Sequence, residues 1–550
     1  MSRDSAQNLS KIPLRIQVVT VGFLLLCFIF VAAFSIARKS KTSDENSHYL
    51  YGRNILLRGD ATRFDDSKMP ITALNAVPRK LGRNFPAGTV RSFLQEFLAA
   101  RLVTILFSAS AALVVFFWSR ALYGFIPALF SLALYLFDPN IIAHSRFVTT
   151  DIYAAGTTVF VFFSLWHFSR RRNLLNGLLC ALAMGVSLIA KYSAIALIPL
   201  VFFTLFIFDF PKIRQAYGNH QSSVIKKYLQ NYIVYLVTTI AILILIVNIG
   251  FLSTRTFTRF SDYRFQSDIF RSLQQVPVIG KLPVPLPYPY LEGLDMVIRN
   301  ERTGASYGNI YLLGQIRSGN KGFFGYYFIA SLLKVPIASQ LIYFLAILVY
   351  IRDRHRRECF FADELFLFVP VLFFVIYFNF FFNTQIGIRY YLVVFPFLYI
   401  FSGHLFQNFE KQATTKKMLG IGSMLYLVIS VLSYYPNFLP YFNEIVWNRS
   451  HAYRYLADSN IDWGQNSDEL NGYLSSHPEA VYAPEEVQSG QIVLSVNQLT
   501  GVRGGPEKYE WLRNNFEPVD TISYTYLIYQ ISPDEIRNLC SRYTEYCVQN

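Results

Sequence analysis

The sequence predicts an all-α polytopic membrane protein with about 11 transmembrane helices, followed by a small soluble α/β C-terminal domain. Of its 550 residues, 53% are hydrophobic and only 15% are charged. The mean hydropathy is +0.31. Soluble domains carry about a quarter charged residues, so this composition is typical of an integral membrane protein. Apolar runs long enough to cross a bilayer recur up to residue 434, and the chain turns polar after it.

The first apolar run, 16–37, has only Gln17 as a strongly polar interruption. It is longer than a signal-peptide core and no small-residue cleavage site follows it, so we expect an anchor helix that is retained. The run from Leu174 to Phe210 is too long for a single crossing and should fold back near Lys191. The later predicted spans are 97–118, 121–137, 152–168, 174–190, 192–208, 232–252, 326–349, 365–382, 390–406 and 418–434.

Basic residues in the short loops indicate the orientation. When successive predicted spans are taken to cross the membrane in alternating directions, these residues fall in loops on one side. The short loops on the opposite side carry little beyond Arg146, Lys191 and Arg389. The positive-inside rule makes the basic side cytoplasmic, with the N-terminus inside and the C-terminal tail outside. Two long basic loops, 38–96 and 253–323, then lie outside, and we interpret them as functional surface. The residues expected on the cytoplasmic side are Arg170, Arg171, Arg172, Lys212, Arg214, Lys226, Lys227, Arg352, Arg354, Arg356, Arg357, Lys411, Lys416 and Lys417.

The charge separates two predicted domains, 1–435 in the membrane and 436–550 outside it. The tail has 15 acidic and 7 basic residues, a net charge of −8, whereas the whole chain carries +15. The membrane part is therefore strongly basic, which suits phosphorylated lipids. Nucleic acid is excluded as a partner because the positive charge is spread between apolar helices. Strand-forming residues bounded by turn residues predict strands at 491–496 and 521–531.

Acidic residues mark two external positions. Asp44 and Glu45 follow the first span, and Asp151 begins a later one. A carboxylate at the membrane surface beside a cation can act as an acid or base on a lipid headgroup. The alternatives are a solvated loop for the Asp44-Glu45 pair and a helix N-cap for Asp151.

Four cations lie on the same predicted face: Lys68, Arg101, Lys191 and Arg389. Long basic side chains near helix ends often extend to the membrane interface, and we favour that interpretation for Arg101. For Lys68, Lys191 and Arg389, the alternative to this interface interpretation is a contact with a phosphate.

These motifs resemble the GT-C glycosyltransferases that use polyprenyl-phosphate sugars, including the protein O-mannosyltransferases and the lipid A aminoarabinose transferases. The likeness rests on Asp44-Glu45 after the first helix and on the segments 139–151, 386–396 and 435–465. It implies a GT-C membrane domain and a sugar donor linked to undecaprenyl or dolichyl phosphate. The acceptor would be a hydroxyl of a protein, lipid or glycan, on the external face of a membrane that we expect to be the bacterial inner membrane.

The resemblance also implies roles. Asp44 would be the base and the transfer would invert the anomeric centre, with Glu45 and Asp151 orienting the acceptor or tuning Asp44. Lys68, Lys191 and the Arg389-Tyr390 pair match positions that contact the donor phosphate. No cofactor is certain, and the resemblance leaves a divalent metal open: the aminoarabinose transferases use a metal and the O-mannosyltransferases do not. The sequence shows no convincing His/Glu cluster, so we assign no metal ligands, although His48 lies close to Asp44.

Other functions stay open. A transporter or flippase of lipid-linked sugars would be expected to show broken helices and repeat symmetry, and the sequence shows neither. A scaffold protein that has lost catalysis is the third alternative. In the tail, the polar triplet 458–460 is expected to cap helices, and Cys540 and Cys547 could pair in an oxidising compartment.

Overall fold

A computed structural model describes residues 12–62, 67–305, 308–409 and 412–547. The predicted fold class is confirmed: the chain is an all-α multi-span membrane protein with a small α/β region at its C-terminal end. The helices before the long loop 253–323 are α1 Leu14–Ile36, α2 Glu45–Arg58, α3 Val77–Gly82, α4 Thr89–Gln95, α5 Phe97–Tyr123, α6 Phe125–Leu136, α7 Pro139–Ser145, α8 Asp151–Arg170, α9 Leu174–Leu188, α10 Leu197–Gly218 and α11 Ser222–Gly250.

The second half contains shorter helices and all of the described strands. The helices are α12 Asp268–Gln274, α13 Pro277–Lys281, α14 Tyr288–Thr303, α15 Tyr326–Lys334, α16 Ile337–Arg352, α17 Arg354–Glu358, α18 Leu365–Phe380, α19 Phe395–Ser402, α20 Thr414–Leu432, α21 Ser467–Ser476, α22 Val496–Leu499, α23 Glu510–Asn515 and α24 Pro533–Arg542. The strands are β1 Asn309–Leu312, β2 Gln315–Ser318, β3 Val481–Tyr482, β4 Gly490–Ser495, β5 Asp520–Ile522 and β6 Tyr526–Ile531.

Six helices of the described chain are long and apolar enough to cross a membrane, or up to eight spans if each of two bent pairs counts as one. Three shorter apolar helices, α9, α18 and Phe395–Phe406, coincide with the remaining predicted spans. The protein is therefore an integral multi-pass membrane protein.

Two helix pairs are bent, which corrects the expectation of unbroken helices. α6 and α7 meet at 62°, and α15 and α16 meet at 115°, so the predicted span 326–349 is not straight. Both breaks occur at a residue before proline, Asp138 and Val335, which adopts extended backbone angles. The ring of the following proline disfavours the helical conformation there.

The C-terminal sheet has the strand order β3-β4-β6-β5, with β3 parallel to β4 and the other pairs antiparallel. The predicted strand 521–531 is a hairpin instead of one strand. It turns at Ser523 and Tyr524, whose φ angles are 51° and 62°. The segment that precedes this sheet packs among the membrane helices, where Phe438 and Tyr441 are fully buried. Cys540 and Cys547 form a disulfide.

Candidate active site

The candidate site lies where four distant parts of the chain meet. Asp44 precedes α2, Asp151 begins α8, Lys191 separates α9 from α10, and Arg389 lies in the 3-10 helix Ile388–Val393 before α19. All four positions are at helix ends. Side chains at helix ends can be directed into a common cavity without being crowded by the turns of a helix.

Arg389 connects the two aspartates. Its Nη1 lies 3.1 Å from Oδ2 of Asp44 and 3.9 Å from Oδ2 of Asp151. The Nζ of Lys191 donates to Oδ1 of Asp151 at 2.6 Å. The same ammonium lies 4.0 Å from the centre of the Tyr390 ring. The result is an alternating chain of charges in which each carboxylate has a cationic partner.

Neither aspartate caps the helix that it starts. Asp44 occupies the N-cap position of α2 and Thr150 that of α8, and neither makes a side-chain cap hydrogen bond. Asp138, by contrast, accepts from the backbone N–H groups of Asn140 and Ile141 at the start of α7. The capping interpretation of Asp151 is therefore wrong, because its carboxylate is directed to Lys191 and Arg389.

Asp44 is the more accessible of the two carboxylates, with 34% of its side chain exposed against 5% for Asp151. Burial alone would raise the pKa of Asp44, but Arg389, His48 and Lys68 outweigh burial and lower this pKa below its usual value. Asp44 is therefore ionised at neutral pH and can accept a proton. Lys68 is itself buried, and its ammonium donates to Oγ of Ser67 at 2.8 Å.

Glu45 has a different environment from its neighbour. It is fully buried and forms a two-pronged ion pair with Arg101, at 2.9 Å to Nε and 2.6 Å to Nη2. It also accepts from the backbone N–H groups of Thr42 and Val148. Arg101, expected at the membrane interface, is buried instead. It also donates to three carbonyls at the end of α1 and just beyond it, those of Ile36, Lys39 and Ser40. This pair holds the first loop against α5.

Sequence reasoning missed the part played by residues 458–465. The Trp463 ring lies under Arg389, with its centre 4.1 Å from the guanidinium carbon. Its carbonyl accepts from the backbone N–H of Ser43 at 2.9 Å, beside Asp44. Trp463 therefore contacts Arg389 with its ring and the backbone beside Asp44 with its carbonyl. The signals for it in the sequence were its aromatic, polar composition and the family resemblance of the segment 435–465.

The triplet 458–460, expected to cap helices, supports the Arg389 segment instead. Asn460 accepts from the backbone N–H of Ile388 at 3.0 Å and donates to the Tyr326 hydroxyl at 2.9 Å. Ser459 Oγ donates to the carbonyl of Ile386. Burial raises the pKa of Asp458 to about 6, with Arg389 opposing that shift.

Gly387 permits this close approach. Its φ is 134°, a value that favours glycine, and a Cβ there would collide with Oγ of Ser459. The backbone immediately before Arg389 can therefore pack directly on the C-terminal segment.

The site does not fit a metal ion. In the described ranges, no group of three or more His, Cys, Asp or Glu side chains could hold one. The two aspartates that come closest to forming such a group are already bridged by the guanidinium of Arg389. We therefore derive no step through a metal.

Residues 84–260 match the family described as dolichyl-phosphate-mannose-protein mannosyltransferase. This stretch includes Asp151 and Lys191 and is less than half of the chain. It confirms the resemblance to the protein O-mannosyltransferases of the GT-C superfamily that the motifs predict. A comparison with curated proteins finds no match.

Solved structures show only a distant likeness. The apo oligosaccharyltransferase of Archaeoglobus fulgidus is 13% identical, with a TM-score of 0.47 over 74% of this chain and 55% of that one. This chain thus spans about half the length of that protein. ArnT from Cupriavidus metallidurans, bound to undecaprenyl phosphate, is 16% identical, with a TM-score of 0.31 over 93% of this chain and 98% of that one. These scores are too low to support an argument about the site.

Proposed function

We propose that the protein is a membrane glycosyltransferase that moves a sugar from a polyprenyl-phosphate donor to an acceptor hydroxyl. The single observation that carries this proposal is the cluster of Asp44, Asp151, Lys191 and Arg389, in which the accessible Asp44 carboxylate lies beside Arg389 and the buried Asp151 carboxylate pairs with Lys191. The family match over residues 84–260 supports it.

The cations suit the leaving phosphate. The Nε of Arg389 is a buried donor with no hydrogen-bond partner in the described part of the chain. A buried donor of this kind usually awaits a ligand or water. With Lys191 and Lys68 nearby, a phosphate would gain charge-assisted hydrogen bonds as its charge grows during bond cleavage.

Asp44 suits the role of general base. The acceptor oxygen would attack the anomeric carbon and its proton would pass to the Asp44 carboxylate. The bond from that carbon to the phosphate oxygen would break, and the electron pair would leave with the phosphate. One displacement of this kind inverts the anomeric centre. Asp151, which is paired with Lys191, would keep the phosphate-binding cations in place.

We further propose that the site faces the outside of a bacterial inner membrane. The basic short loops on the opposite side support this orientation. The disulfide between Cys540 and Cys547 supports an oxidising compartment for the C-terminal domain.

A lipid-linked sugar transporter is the second candidate, favoured by the two bent helix pairs. Broken helices are common at the substrate sites of transporters. The α6–α7 bend, however, has a local cause, since Asp138 caps α7 and precedes a proline.

One experiment separates the two functions. Purified protein in lipid nanodiscs is given polyprenyl-phosphate sugars, and mass spectrometry follows the release of free polyprenyl phosphate together with glycosylated acceptor. Asp44→Asn should bind the donor like the parent but transfer about 10²–10⁴-fold more slowly, because a general base is lost. Movement of intact donor between leaflets of a vesicle without its cleavage would instead establish the transporter and refute the transferase.

A further inference from the structure

A second cavity lies far from the candidate site. Its volume is about 620 Å³, and it is formed by the end of α8, the start of α9, the second half of α10 and the first half of α11. Helix α8 begins at Asp151 in the candidate site and reaches this cavity at Phe168 and Ser169. Twenty residues of α-helix rise about 30 Å, the thickness of the hydrocarbon layer. The two sites therefore face opposite sides of the membrane.

The polar wall of this cavity is basic and partly preorganised. Arg172, Lys212 and Lys227 contribute three cations, and Asp209 is the one carboxylate that lines it. Asp209 is buried and accepts from Nη2 of Arg172 at 2.8 Å and from the Tyr232 hydroxyl at 2.9 Å. The carboxylate thus positions Arg172, while the two lysines leave an excess of positive charge for an anionic ligand.

The remaining wall is apolar and open to the bilayer. Leu174 and Val234 line the cavity and are 74% and 64% exposed. Such exposure on the apolar helices α9 and α11 of a membrane protein indicates contact with acyl chains. Amide and hydroxyl side chains, those of Asn173, Asn231 and Thr238, lie among these groups. The cavity therefore combines a cationic wall, neutral hydrogen-bonding groups and a path for acyl chains.

We propose that this cavity binds an anionic glycerophospholipid from the leaflet on the basic-loop side. Lys212, Lys227 and Arg172 would contact the phosphate. The amides and hydroxyls would contact a headgroup that bears hydroxyls, and the chains would extend along α11. Basic pockets between transmembrane helices on the cytoplasmic side recognise such headgroups through charge. The site differs from the donor site in place and in ligand, and it is independent of the proposed catalysis.

Native mass spectrometry of the full-length protein tests the proposal. Protein in neutral detergent is titrated with phosphatidylglycerol, phosphatidylcholine or undecaprenyl phosphate, and the bound fraction is measured. The parent should bind phosphatidylglycerol in preference to phosphatidylcholine, whereas undecaprenyl phosphate should bind at the candidate active site and be insensitive to changes at Lys212 and Lys227. Lys212→Ala/Lys227→Ala should weaken phosphatidylglycerol binding by about fivefold for each cation removed.

The chain offers a matched control. Arg214→Ala/Lys226→Ala removes the same charge from neighbouring exposed positions that do not line the cavity, so phosphatidylglycerol binding should stay at the parent level. Lys212→Arg/Lys227→Arg should also retain it, which separates loss of charge from misfolding. Equal binding of phosphatidylglycerol in the two alanine variants, equal affinity for phosphatidylcholine, or a loss of undecaprenyl phosphate binding in Lys212→Ala/Lys227→Ala as large as that of phosphatidylglycerol would each overturn the proposal.

Discussion

Asp44 and Glu45 are adjacent in the sequence but lie in opposite environments. Asp44 is partly exposed and interacts with Arg389 across the candidate site, whereas Glu45 is buried and bound by Arg101. The helical start of α2 directs the two side chains about 100° apart, so one is partly exposed and the other points into the protein interior. An acidic pair that resembles a double catalytic motif therefore divides, in this geometry, into one candidate base and one structural anchor.

This division predicts different effects on stability. Glu45→Gln leaves the buried Arg101 without its counter-charge, and breaking a buried ion pair costs about 3–5 kcal/mol. Asp44→Asn removes a partly exposed charge and should change the free energy of unfolding by less than about 1 kcal/mol. Thermal unfolding of the purified variants in detergent measures both effects. Similar losses of stability in the two variants would contradict the assignment of Glu45 as the anchor.

At the scale of elements, the site is assembled from helix ends and from one supporting segment. Residues 458–465 support the 3-10 helix Ile388–Val393, because Asn460 accepts a hydrogen bond from the backbone N–H of Ile388. In the same segment, the Trp463 ring contacts Arg389. Gly387 packs against Ser459 of this segment, so closely that a Cβ there would collide with Oγ of Ser459. Disturbing this contact should displace Arg389 without altering its charge.

We therefore predict that Gly387→Ala lowers the rate of sugar transfer by about tenfold or more, because small displacements of positioned groups are costly in catalysis. The added methyl group meets Ser459 and the φ of 134° disfavours alanine. Gly422→Ala in α20 is the control, since a Cβ there has nothing within 4 Å and the transfer rate should be unchanged. Equal rates for both variants would show that the 387–459 contact does not position Arg389.

At the scale of the whole molecule, the candidate site and the lipid cavity lie on opposite sides of the membrane. The orientation proposed above puts Ser43 and Ser475 outside and Ser223 inside, and all three are exposed. Single cysteines at these positions, in a background without Cys27, Cys180 and Cys359, can be tested in intact cells with an impermeant thiol reagent. We expect labelling at positions 43 and 475 only. Labelling at position 223 alone would invert the topology and place the candidate active site inside.

The sequence by itself determined the membrane class, the positions of the apolar helices, the turn near Lys191 and the family resemblance. These follow from local quantities: hydropathy over about 20 residues, loop charge and short motifs. It also singled out Asp44, Asp151, Lys191 and Arg389 as candidate functional residues. A charged side chain near membrane depth is energetically unfavourable and is usually found there because it has a function.

Only the tertiary structure decided how these residues pair. The paired residues are far apart in the sequence: Glu45 and Arg101 by 56 positions, and Asp44 and Arg389 by 345. The contact of Trp463 with Arg389 likewise joins two separate segments of the chain. Hydropathy and local spacing carry no information about such distances, because a residue's partner depends on how helix ends and loops pack in space. For the same reason, the bends at Asp138 and Val335 and the lipid cavity between α8 and α11 emerged only from the packed helices.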